Sequence, residues 1–386
     1  MKTNIPNQRL KIAVLIRHFN SAGGGAERYC VELTKKLAKT HEVHVFSQQN
    51  TEAVDDIIFH QIPQWLQKPR YINQLLFSYL TRRATQNQGF NIVHSHDMAT
   101  HANIYTLHVP CVKSKLTQAR GLKKVLRWFG ILFSPRKLMY LWLEQREMRV
   151  LPDRHFISVS EYLSRNLIQN YSQLDSHITI AYPGINHRVA EQNTQRLRQN
   201  FKEKHNIPFS AFILLFAAHG FKRKGLPAIV NALEILDNKD IHLVVAGSGS
   251  PTEVMINTSV GQDNIHFVGV VKEMEKLYPA ADAFIHPTLG DTYGMVVLEA
   301  MSHKLPVIVS SKQYCGFSEH LGNHEALILD NPRNADEIAD KISQLFAAPR
   351  LRTSLSIIGF EKSQGINWDN TLQQTLNAYQ QLKPNR

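Results

Sequence analysis

One stretch of the sequence concentrates groups that could bind an anion and the hydroxyl groups of a ligand. It runs from His286 to Glu299 and reads HPTLGDTYGMVVLE, so that Asp291, in a glycine-containing loop, precedes Glu299 by eight positions. A helix beginning near Gly294 would offer free backbone N–H groups to a phosphate, and both carboxylates could accept hydrogen bonds from ligand hydroxyls. Two acids at this spacing are common on any surface, so the spacing alone is weak evidence.

A second loop carries three adjacent cations. Lys222, Arg223 and Lys224 lie in the segment HGFKRKG, directly after a predicted strand. Folding alone gives little reason to place three like charges there, whereas a diphosphate suits an arginine fork beside a lysine point charge. A solvated turn is the alternative interpretation.

A glycine-rich loop follows the first predicted strand. Residues 23–27 read GGGAE and precede a helical pattern, where glycines would let a ligand approach the backbone closely. The loop is neither G-x-G-x-x-G nor a P-loop, which argues against a nicotinamide oxidoreductase. A simple tight turn is the alternative.

Metal chemistry finds little support in the sequence. No Asp-x-Asp triplet occurs, so the usual acidic bridge between a metal and a nucleotide-sugar diphosphate is missing. Histidines recur at His94, His96, His101 and His108, but a chain with 19 histidines makes chance clusters. We expect the first two to face opposite ways along their strand. The sequence therefore predicts a metal-independent reaction without a cofactor.

Alternating strands and helices must position these loops. The predicted strands of the first half are 12–16, 43–46, 92–94, 104–107, 156–159 and 178–180; those of the second half are 212–216, 242–246, 265–268, 283–285, 306–309 and 326–329. This order predicts an α/β protein with two Rossmann-like, doubly wound domains facing a central cleft. We place the N-terminal domain at 1–186 and the C-terminal domain at 187–365. A helix in 366–386, with Leu372, Leu376 and Tyr379 on one face, would pack back on the first domain.

The charge balance favours anionic partners. The chain of 386 residues has a formal net charge of +12, which alone does not choose among nucleic acid, anionic lipid and phosphorylated small molecules. Three widely spaced cysteines form no disulfide or zinc pattern and indicate a reducing compartment. No zinc module, helix-turn-helix or aromatic-interleaved basic stripe supports nucleic-acid binding.

Residues 112–150 carry a basic, amphipathic pattern. They hold ten Lys/Arg and two Glu, and 10 − 2 gives a net charge of +8. Around 120–133, six apolar residues fall on one helical face, opposite Arg120, Lys123, Lys124 and Arg127. This pattern predicts a helix lying on an anionic membrane surface, with an ordinary domain helix as the alternative. The apolar stretches are too short to span a bilayer.

The sequence resembles the retaining glycosyltransferases of family four, which have the two-domain GT-B fold. The resemblance covers almost the whole chain, and its most specific part is Asp291-x7-Glu299 within His-Pro-x5-Tyr-Gly-x4-Glu-Ala-Met. This is similar to the E-x7-E signature of the family, with Asp in place of the first Glu. Segments 221–225, 280–282 and 315–317 resemble the lipopolysaccharide core glucosyltransferases within that family.

The resemblance implies that domain 1–186 binds the acceptor and that domain 187–365 binds the nucleotide-sugar donor. It also implies a role for each matching residue. As catalytic-side residues it indicates His108, near the histidine of the family, and Asp291, at donor-sugar hydroxyls. In donor binding, Glu299 would hold the ribose hydroxyls and Val270 would lie beside the base. The remaining donor-binding residues that it implies are Gly24, Gly25, Arg223, Lys224, Gly294 and Met295.

Together these observations predict a retaining hexosyltransferase. The expected donor is a nucleotide sugar, UDP-glucose or a relative, and the expected acceptor is a lipid-linked saccharide such as the lipopolysaccharide core. The enzyme would be cytoplasmic and peripheral on the inner face of the membrane, docking through residues 112–150. The alternatives are another nucleotide sugar with a different cell-surface polysaccharide, a GT-B epimerase or starch-type synthase, and, from another class, a basic nucleic-acid-binding protein.

Overall fold

The computed structural model describes residues 9–114, 133–186, 194–251 and 264–382. The chain divides into two compact units. Unit 1 is Met1–Gly184 together with Trp368–Arg386, and unit 2 is Ile185–Asn367. The helix predicted around 120–133 falls almost entirely outside the described residues, so it remains a prediction.

Unit 1 is built on a parallel sheet of seven strands in the order β5-β3-β1-β6-β7-β8-β9. The strands are β1 (Lys11–Leu15), β3 (Glu42–Ser47), β5 (Ile57–Gln61), β6 (Ile92–Ser95), β7 (Ile104–Leu107), β8 (His155–Ser158) and β9 (Ile178–Ile180), and the short pair β2 (His18–Phe19) and β4 (Gln49–Asn50) lies apart from them. Helices α1 (Gly25–Ala38), α2 (Arg70–Thr85), α3 (Pro135–Glu147) and α4 (Glu161–Asn170) connect them. The inner strands are apolar because helices cover both faces of such a sheet.

The final helix, α11 (Trp368–Gln380), belongs to unit 1 and packs against α1, β8 and β9. Thr371 donates to the carbonyl oxygen of Tyr182 at 2.6 Å, and the Trp368 ring meets Tyr29 edge-on. The buried face differs from the predicted one: Leu372 and Leu376 are only half-buried, whereas Trp368, Thr371, Thr375, Ala378 and Tyr379 are buried. Threonines can face inward here because their hydroxyls bond to backbone carbonyls.

Unit 2 has a parallel sheet of six strands in the order β12-β11-β10-β13-β14-β15. They are β10 (Phe212–His219), β11 (Ile241–Ser248), β12 (Ile265–Gly269), β13 (Ala283–His286), β14 (Val307–Ser310) and β15 (Leu327–Leu329). The described helices are α5 (Thr194–Lys204), α6 (Leu226–Leu236), α7 (Met274–Leu277), α8 (Met295–Ser302), α9 (Ala335–Ala347) and α10 (Pro349–Gln364). One apolar cluster joins β10, β11 and β13 to α6 and α9.

Strand order places the candidate loops. In unit 2, β10 pairs with β11 on one side and β13 on the other, so the chain changes direction across the sheet at β10 and β13. In open α/β sheets, ligands bind at such a switch point, beyond the carboxyl ends of the strands. The loops after β10 and β13 contain the cation cluster and Asp291. Unit 1 has the same arrangement, with β1 between β3 and β6.

The structure confirms the predicted α/β class. Each predicted strand is present, with ends that lie at most three residues from the expected ones. Strand β5 and the short pair β2 and β4 were not predicted. Strand β5 pairs with β3 at the sheet edge, and its residues are Ile57, Ile58 and Phe59 followed by the polar His60 and Gln61. An apolar run of three residues is too short to distinguish a strand from a loop by pattern alone.

Candidate functional site

Two loops meet beyond the carboxyl end of the unit 2 sheet because a glycine allows it. Gly225 adopts φ +88°, and a Cβ built there would lie 2.0 Å from the carbonyl oxygen of Pro287. Any side chain would therefore both strain the backbone and push the second loop away. The loop after β10 thus packs directly on the loop after β13.

The closest contact between these loops is an ion pair. The Lys224 ammonium contacts Oδ2 of Asp291, and their side chains are only 10% and 17% exposed. His286, at the end of β13, contacts the same Oδ2 through Nε2 at 3.0 Å, and its side chain is 1% exposed. The Lys224–Asp291–His286 network therefore joins two predicted residues and one that was not predicted.

The charge state of this network follows from its surroundings. Burial acts to raise the pKa of Asp291, but the Lys224 charge and the His286 hydrogen bond outweigh it and hold that pKa well below its usual range. Burial lowers the pKa of His286, and the nearby Lys224 and Arg223 charges add to this effect. At neutral pH, Asp291 is therefore an anion and His286 is neutral.

Arg223 has a different position from its neighbour. It is exposed, its Nη1 donates to the carbonyl oxygen of Gly290 at 2.7 Å, and its own carbonyl oxygen accepts from the Leu289 N–H at 3.0 Å. These bonds hold the Arg223 guanidinium at the loop, with its other N–H groups able to face an anion. Both predicted diphosphate ligands thus lie at one edge of the sheet.

Helix α8 begins as predicted, at Gly294 and Met295. Gly294 adopts φ +95°, and a Cβ there would lie 2.7 Å from Sγ of Cys315, so a side chain would clash as well as strain. No side chain of the described residues caps this helix start. Its first backbone N–H groups therefore have no partner from a capping side chain, which is the feature that suits a helix N-terminus to a phosphate.

Glu299 belongs to a second network. It is half-buried in α8, and its Oε2 accepts from the Tyr278 hydroxyl at 2.8 Å. Tyr278 is itself buried and stacks on His303, with the ring centroids 4.9 Å apart. Asp291 and Glu299 are therefore held by different partners, and the ribose role of Glu299 remains a prediction.

Val270 lies one residue beyond β12, at the same edge of the sheet. It is 64% exposed, which is unusual for valine, and it follows Gly269, which has φ +71°. An exposed apolar side chain at this edge could contact the face of a base, and this role of Val270 remains a prediction.

The other predicted residues lie in unit 1. Gly24 is in extended backbone just before α1, and Gly25 begins the helix with no described heavy atom within 4 Å of an ideal Cβ. Neither glycine is required by its own backbone conformation. The open space at Gly25 is compatible with close approach of a ligand, and the predicted role of both residues is untested.

The histidine prediction was wrong about orientation. His94 lies in β6 and His96 just beyond it, and their rings stack with centroids 4.5 Å apart. Residues two apart on a strand share a face, so these side chains lie together. His96 Nδ1 also contacts His108 Nε2 at 3.1 Å, and burial lowers the pKa of His108 to about 4. In the described part of the chain, no three His, Cys, Asp or Glu side chains are grouped as a metal site would need.

Two side chains of the site were not predicted. His286 was recognised only as the end of a strand, and Tyr278 was not identified. A signal for His286 was present, because a polar residue ending an otherwise apolar strand, just before Pro287, points to the ligand-binding edge of a parallel sheet. Nothing in the sequence pairs Tyr278 with Glu299, which lies 21 positions later.

Two family models match the chain, one on each half. The model described as "Glycosyltransferase Family 4" matches residues 23–189. The model described as "Glycosyl transferases group 1" matches residues 198–362. The loop containing Gly24 and Gly25 falls in the first match, and both loops of the Lys224–Asp291–His286 network fall in the second.

The alignments with curated relatives cover nearly the full length of both proteins. The chain is 20% identical over 339 residues to the lipopolysaccharide glucosyltransferase WaaG of Escherichia coli K12, with 85% of this chain and 88% of WaaG covered. It is 24% identical over 388 residues to a D-inositol 3-phosphate glycosyltransferase of Arthrobacter sp. FB24, with 92% and 90% covered.

Solved structures share the fold. The crystal structure of WaaG matches with a TM-score of 0.80 at 17% identity, covering 97% of this chain and 100% of that one. The Anabaena protein HepE in complex with UDP-glucose matches with a TM-score of 0.73 at 15% identity, also covering 97% and 100%. At such low identity these matches show the fold alone, and they confirm the predicted GT-B fold with its two α/β domains.

Proposed function

Because the chain belongs to the glycosyltransferases of family 4 and has their GT-B fold, we propose that it transfers glucose from UDP-glucose to a lipid-linked saccharide, with retention at the anomeric carbon. The donor binds at the carboxyl edge of the unit 2 sheet. The acceptor is a saccharide such as the lipopolysaccharide core, presented at an anionic membrane surface. The observation that carries the donor proposal is the Lys224–Asp291–His286 network beside the start of α8.

This network supports a nucleotide diphosphate as leaving group. Among the described residues, Asp291 is the hydrogen-bond partner of the Lys224 ammonium, so two of its three N–H groups could donate to phosphate oxygens. Arg223 is exposed beside it, and the N-terminus of α8 adds backbone N–H groups and the positive end of the helix dipole. Charge developing on the diphosphate would meet fixed donors, which is how enzymes stabilise such transition states electrostatically. No step in this scheme needs a divalent metal.

The related proteins support the sugar and its acceptor. WaaG is named a lipopolysaccharide glucosyltransferase, and HepE was crystallised with UDP-glucose. Another relative acts on D-inositol 3-phosphate by name, so a different donor and acceptor is the second candidate within the same fold.

The charge distribution along the chain supports an acceptor that lies at an anionic membrane surface. Residues 57–143 contain twelve Lys/Arg and one acid, Asp97, so that 12 − 1 gives +11 of the total of +12. Asp97 is itself paired with Arg17 at 2.8 Å. All of these residues belong to unit 1. This stretch of the sequence thus carries most of the net charge of the chain, and that charge would attract an anionic bilayer over about a Debye length.

An apolar groove lies within this cationic region. Helices α2 and α3 form it, with a volume of about 460 Å³ and a lining of Leu75, Pro135, Leu138, Met139 and Trp142. Leu138 and Trp142 are 42% and 47% exposed. α2 contains no acid, and both acids of α3, Glu144 and Glu147, are buried. Exposed apolar side chains in a stretch rich in Lys and Arg suit the interface of an anionic membrane better than nucleic acid.

Membrane contact at this surface would be peripheral. Across the described ranges of the chain, no helix combines the length and apolarity that a bilayer span requires. We propose that the enzyme acts at the inner face of the cytoplasmic membrane, held by the cations and apolar groove of unit 1 and by the predicted helix within 112–150.

A panel of nucleotide sugars tests the donor. Purified protein is heated with UDP-glucose, UDP-galactose, UDP-N-acetylglucosamine, GDP-mannose and free UDP. A ligand at 100 times its Kd stabilises the protein by about 2.7 kcal/mol, which gives a clear shift in Tm. We expect UDP-glucose to shift the Tm more than GDP-mannose does. No shift with any UDP compound would contradict the proposal, and a larger shift with another nucleotide would select the second candidate.

A further inference from the structure

The two oxygens of Asp291 have different surroundings. Both contacts of this carboxylate, from Lys224 Nζ and from His286 Nε2, fall on Oδ2. Among the described residues, no hydrogen bond reaches Oδ1, and the side chain keeps 17% exposure. A carboxylate has acceptor capacity on both oxygens. Oδ1 is therefore the oxygen open to a ligand, while Oδ2 is held by the protein.

His286 can make its contact in only one way. An ionised carboxylate accepts but does not donate, so His286 donates its Nε2–H to Asp291. The opposite ring nitrogen, Nδ1, is buried and has no hydrogen-bond partner among the described residues. Protonating it would bury a second N–H without an acceptor. The ring is thus a neutral donor with a single polar contact, and that contact is Asp291.

The neighbours of His286 fix its place. Its backbone lies in β13, paired with β14 in register from Phe284 to His286, and its carbonyl oxygen accepts from the Ser310 hydroxyl. Its ring stacks on Phe284, with the centroids 6.3 Å apart. The donor to Asp291 is therefore mounted on a rigid strand, whereas Lys224 reaches the same oxygen from a loop.

We propose that His286 is a positioning residue for sugar recognition: its Nε2–H holds Oδ2 of Asp291, so that Oδ1 is presented to a hydroxyl of the donor sugar. This inference rests on the proposed function. A positioned acceptor matters here because Asp is one methylene shorter than the Glu of the E-x7-E signature, so its reach depends more strongly on how it is held. His286 itself touches neither sugar nor phosphate in this scheme.

The test compares binding of UDP-glucose with binding of UDP. Only UDP-glucose carries the sugar that Oδ1 would contact, so the ratio of the two Kd values isolates sugar recognition. We expect His286→Phe, which keeps a ring but removes the donor, to weaken UDP-glucose binding about 10- to 100-fold, by analogy with residues that orient the ligands of metal ions. UDP binding should change less than about threefold. His286→Gln, whose amide nitrogen can occupy the Nε2 position, should restore part of the loss.

A matched control is present in the same unit. His242 is 5% exposed, and its Nδ1 contacts His266 Nε2 at 2.9 Å near the opposite end of the sheet. His242→Phe removes a buried imidazole and its hydrogen bond without touching Asp291. We expect it to lower stability and to leave the ratio of the two Kd values unchanged.

A double variant shows whether His286 acts through Asp291. Asp291→Asn should weaken UDP-glucose binding by itself, and adding His286→Phe should weaken it no further. If His286→Phe leaves the selectivity for UDP-glucose intact, or if its effect adds fully to that of Asp291→Asn, the inference is wrong. If the wild-type protein binds no UDP-glucose, the proposed donor is wrong and the inference is wrong as well. The Kd of the wild-type protein for UDP-glucose therefore separates failure of the proposed function from failure of the role of His286.

Discussion

Replacing Lys224 with methionine should destabilise unit 2 as well as impair the enzyme. A lysine in an exposed loop contributes little to folding, but Lys224 is buried and paired with Asp291. Removing one partner of a buried ion pair leaves an uncompensated charge, at a cost of about 3–5 kcal/mol. His286 still donates to Asp291, and the carboxylate keeps some exposure. We therefore expect the low end, about 3 kcal/mol, or roughly a hundredfold in the unfolding equilibrium.

The pH dependence of this loss has a definite sign. In the wild type, the pKa of Asp291 is lower in the folded than in the unfolded protein, where it is about 3.9. The ionised carboxylate therefore stabilises the fold above about pH 3.9, and this stabilisation is lost as the pH falls. Without Lys224, one of the charges that lower the pKa of His286 is gone, and Arg223 is the remaining nearby cation. Burial still lowers the pKa of His286, but without the Lys224 charge this pKa should rise, so that more of the ring is cationic beside Asp291 at acidic pH than in the wild type. The stability loss in Lys224→Met should therefore be smaller at pH 5.5 than at pH 8.

Cys315 provides a probe confined to unit 2. It is fully buried beside Gly294, and the other two cysteines, Cys30 and Cys111, belong to unit 1. Thiol labelling of Cys315 in rising urea, followed by peptide mass spectrometry, reports the opening of unit 2. Lys222→Met is the matched control, because Lys222 is exposed and should cost less than about 0.5 kcal/mol. Equal labelling midpoints for Lys224→Met and Lys222→Met at pH 8 would refute the buried ion pair.

Three further predictions follow from the site and from the unit 1 surface. Glu299→Gln should weaken UDP and UDP-glucose binding to a similar extent, since the ribose is common to both; an unchanged Kd for both would leave Glu299 a structural role, which includes its hydrogen bond with Tyr278. Turnover should persist in excess EDTA, because fixed cations replace a metal, and complete loss restored by Mg²⁺ or Mn²⁺ would contradict this. The protein should float with vesicles containing phosphatidylglycerol at low salt, and less so with neutral vesicles or at high salt. Replacing Leu138 and Trp142 with serine should reduce flotation while donor binding stays intact, and undiminished flotation would exclude the groove from membrane contact.

Sequence patterns predicted the parts of the fold that depend on local apolar runs. The strands at the centre of each sheet are buried on both faces, so their sequences are nearly continuous hydrophobic runs. Strand β5 has an apolar run of only three residues before His60 and Gln61, and it was missed. The face of α11 was misjudged for a related reason: Thr371 and Thr375 satisfy their hydroxyls on the backbone and can be buried, which an apolar pattern does not reveal.

The site was predictable at the level of loops but not of contacts. Glycines, cations and acids near strand ends indicated which loops bind a ligand, and the sheet order brings those loops together. The pairing of Lys224 with Asp291 joins residues 67 positions apart. It depends on the close packing of Gly225 against Pro287, which no spacing rule provides. The role of His286 follows only once both contacts to Oδ2 are seen.

The central claim is that this chain moves glucose from UDP-glucose to a lipid-linked saccharide. The most direct measurement incubates the full-length protein with UDP-[¹⁴C]glucose and membranes that contain a truncated lipopolysaccharide core, in the presence of EDTA. We predict release of UDP, radioactivity in the lipid-linked fraction as α-linked glucose, and strong loss of both with Lys224→Met. UDP-glucose that remains unconsumed while another nucleotide sugar is transferred, or a β-linked product, would contradict it.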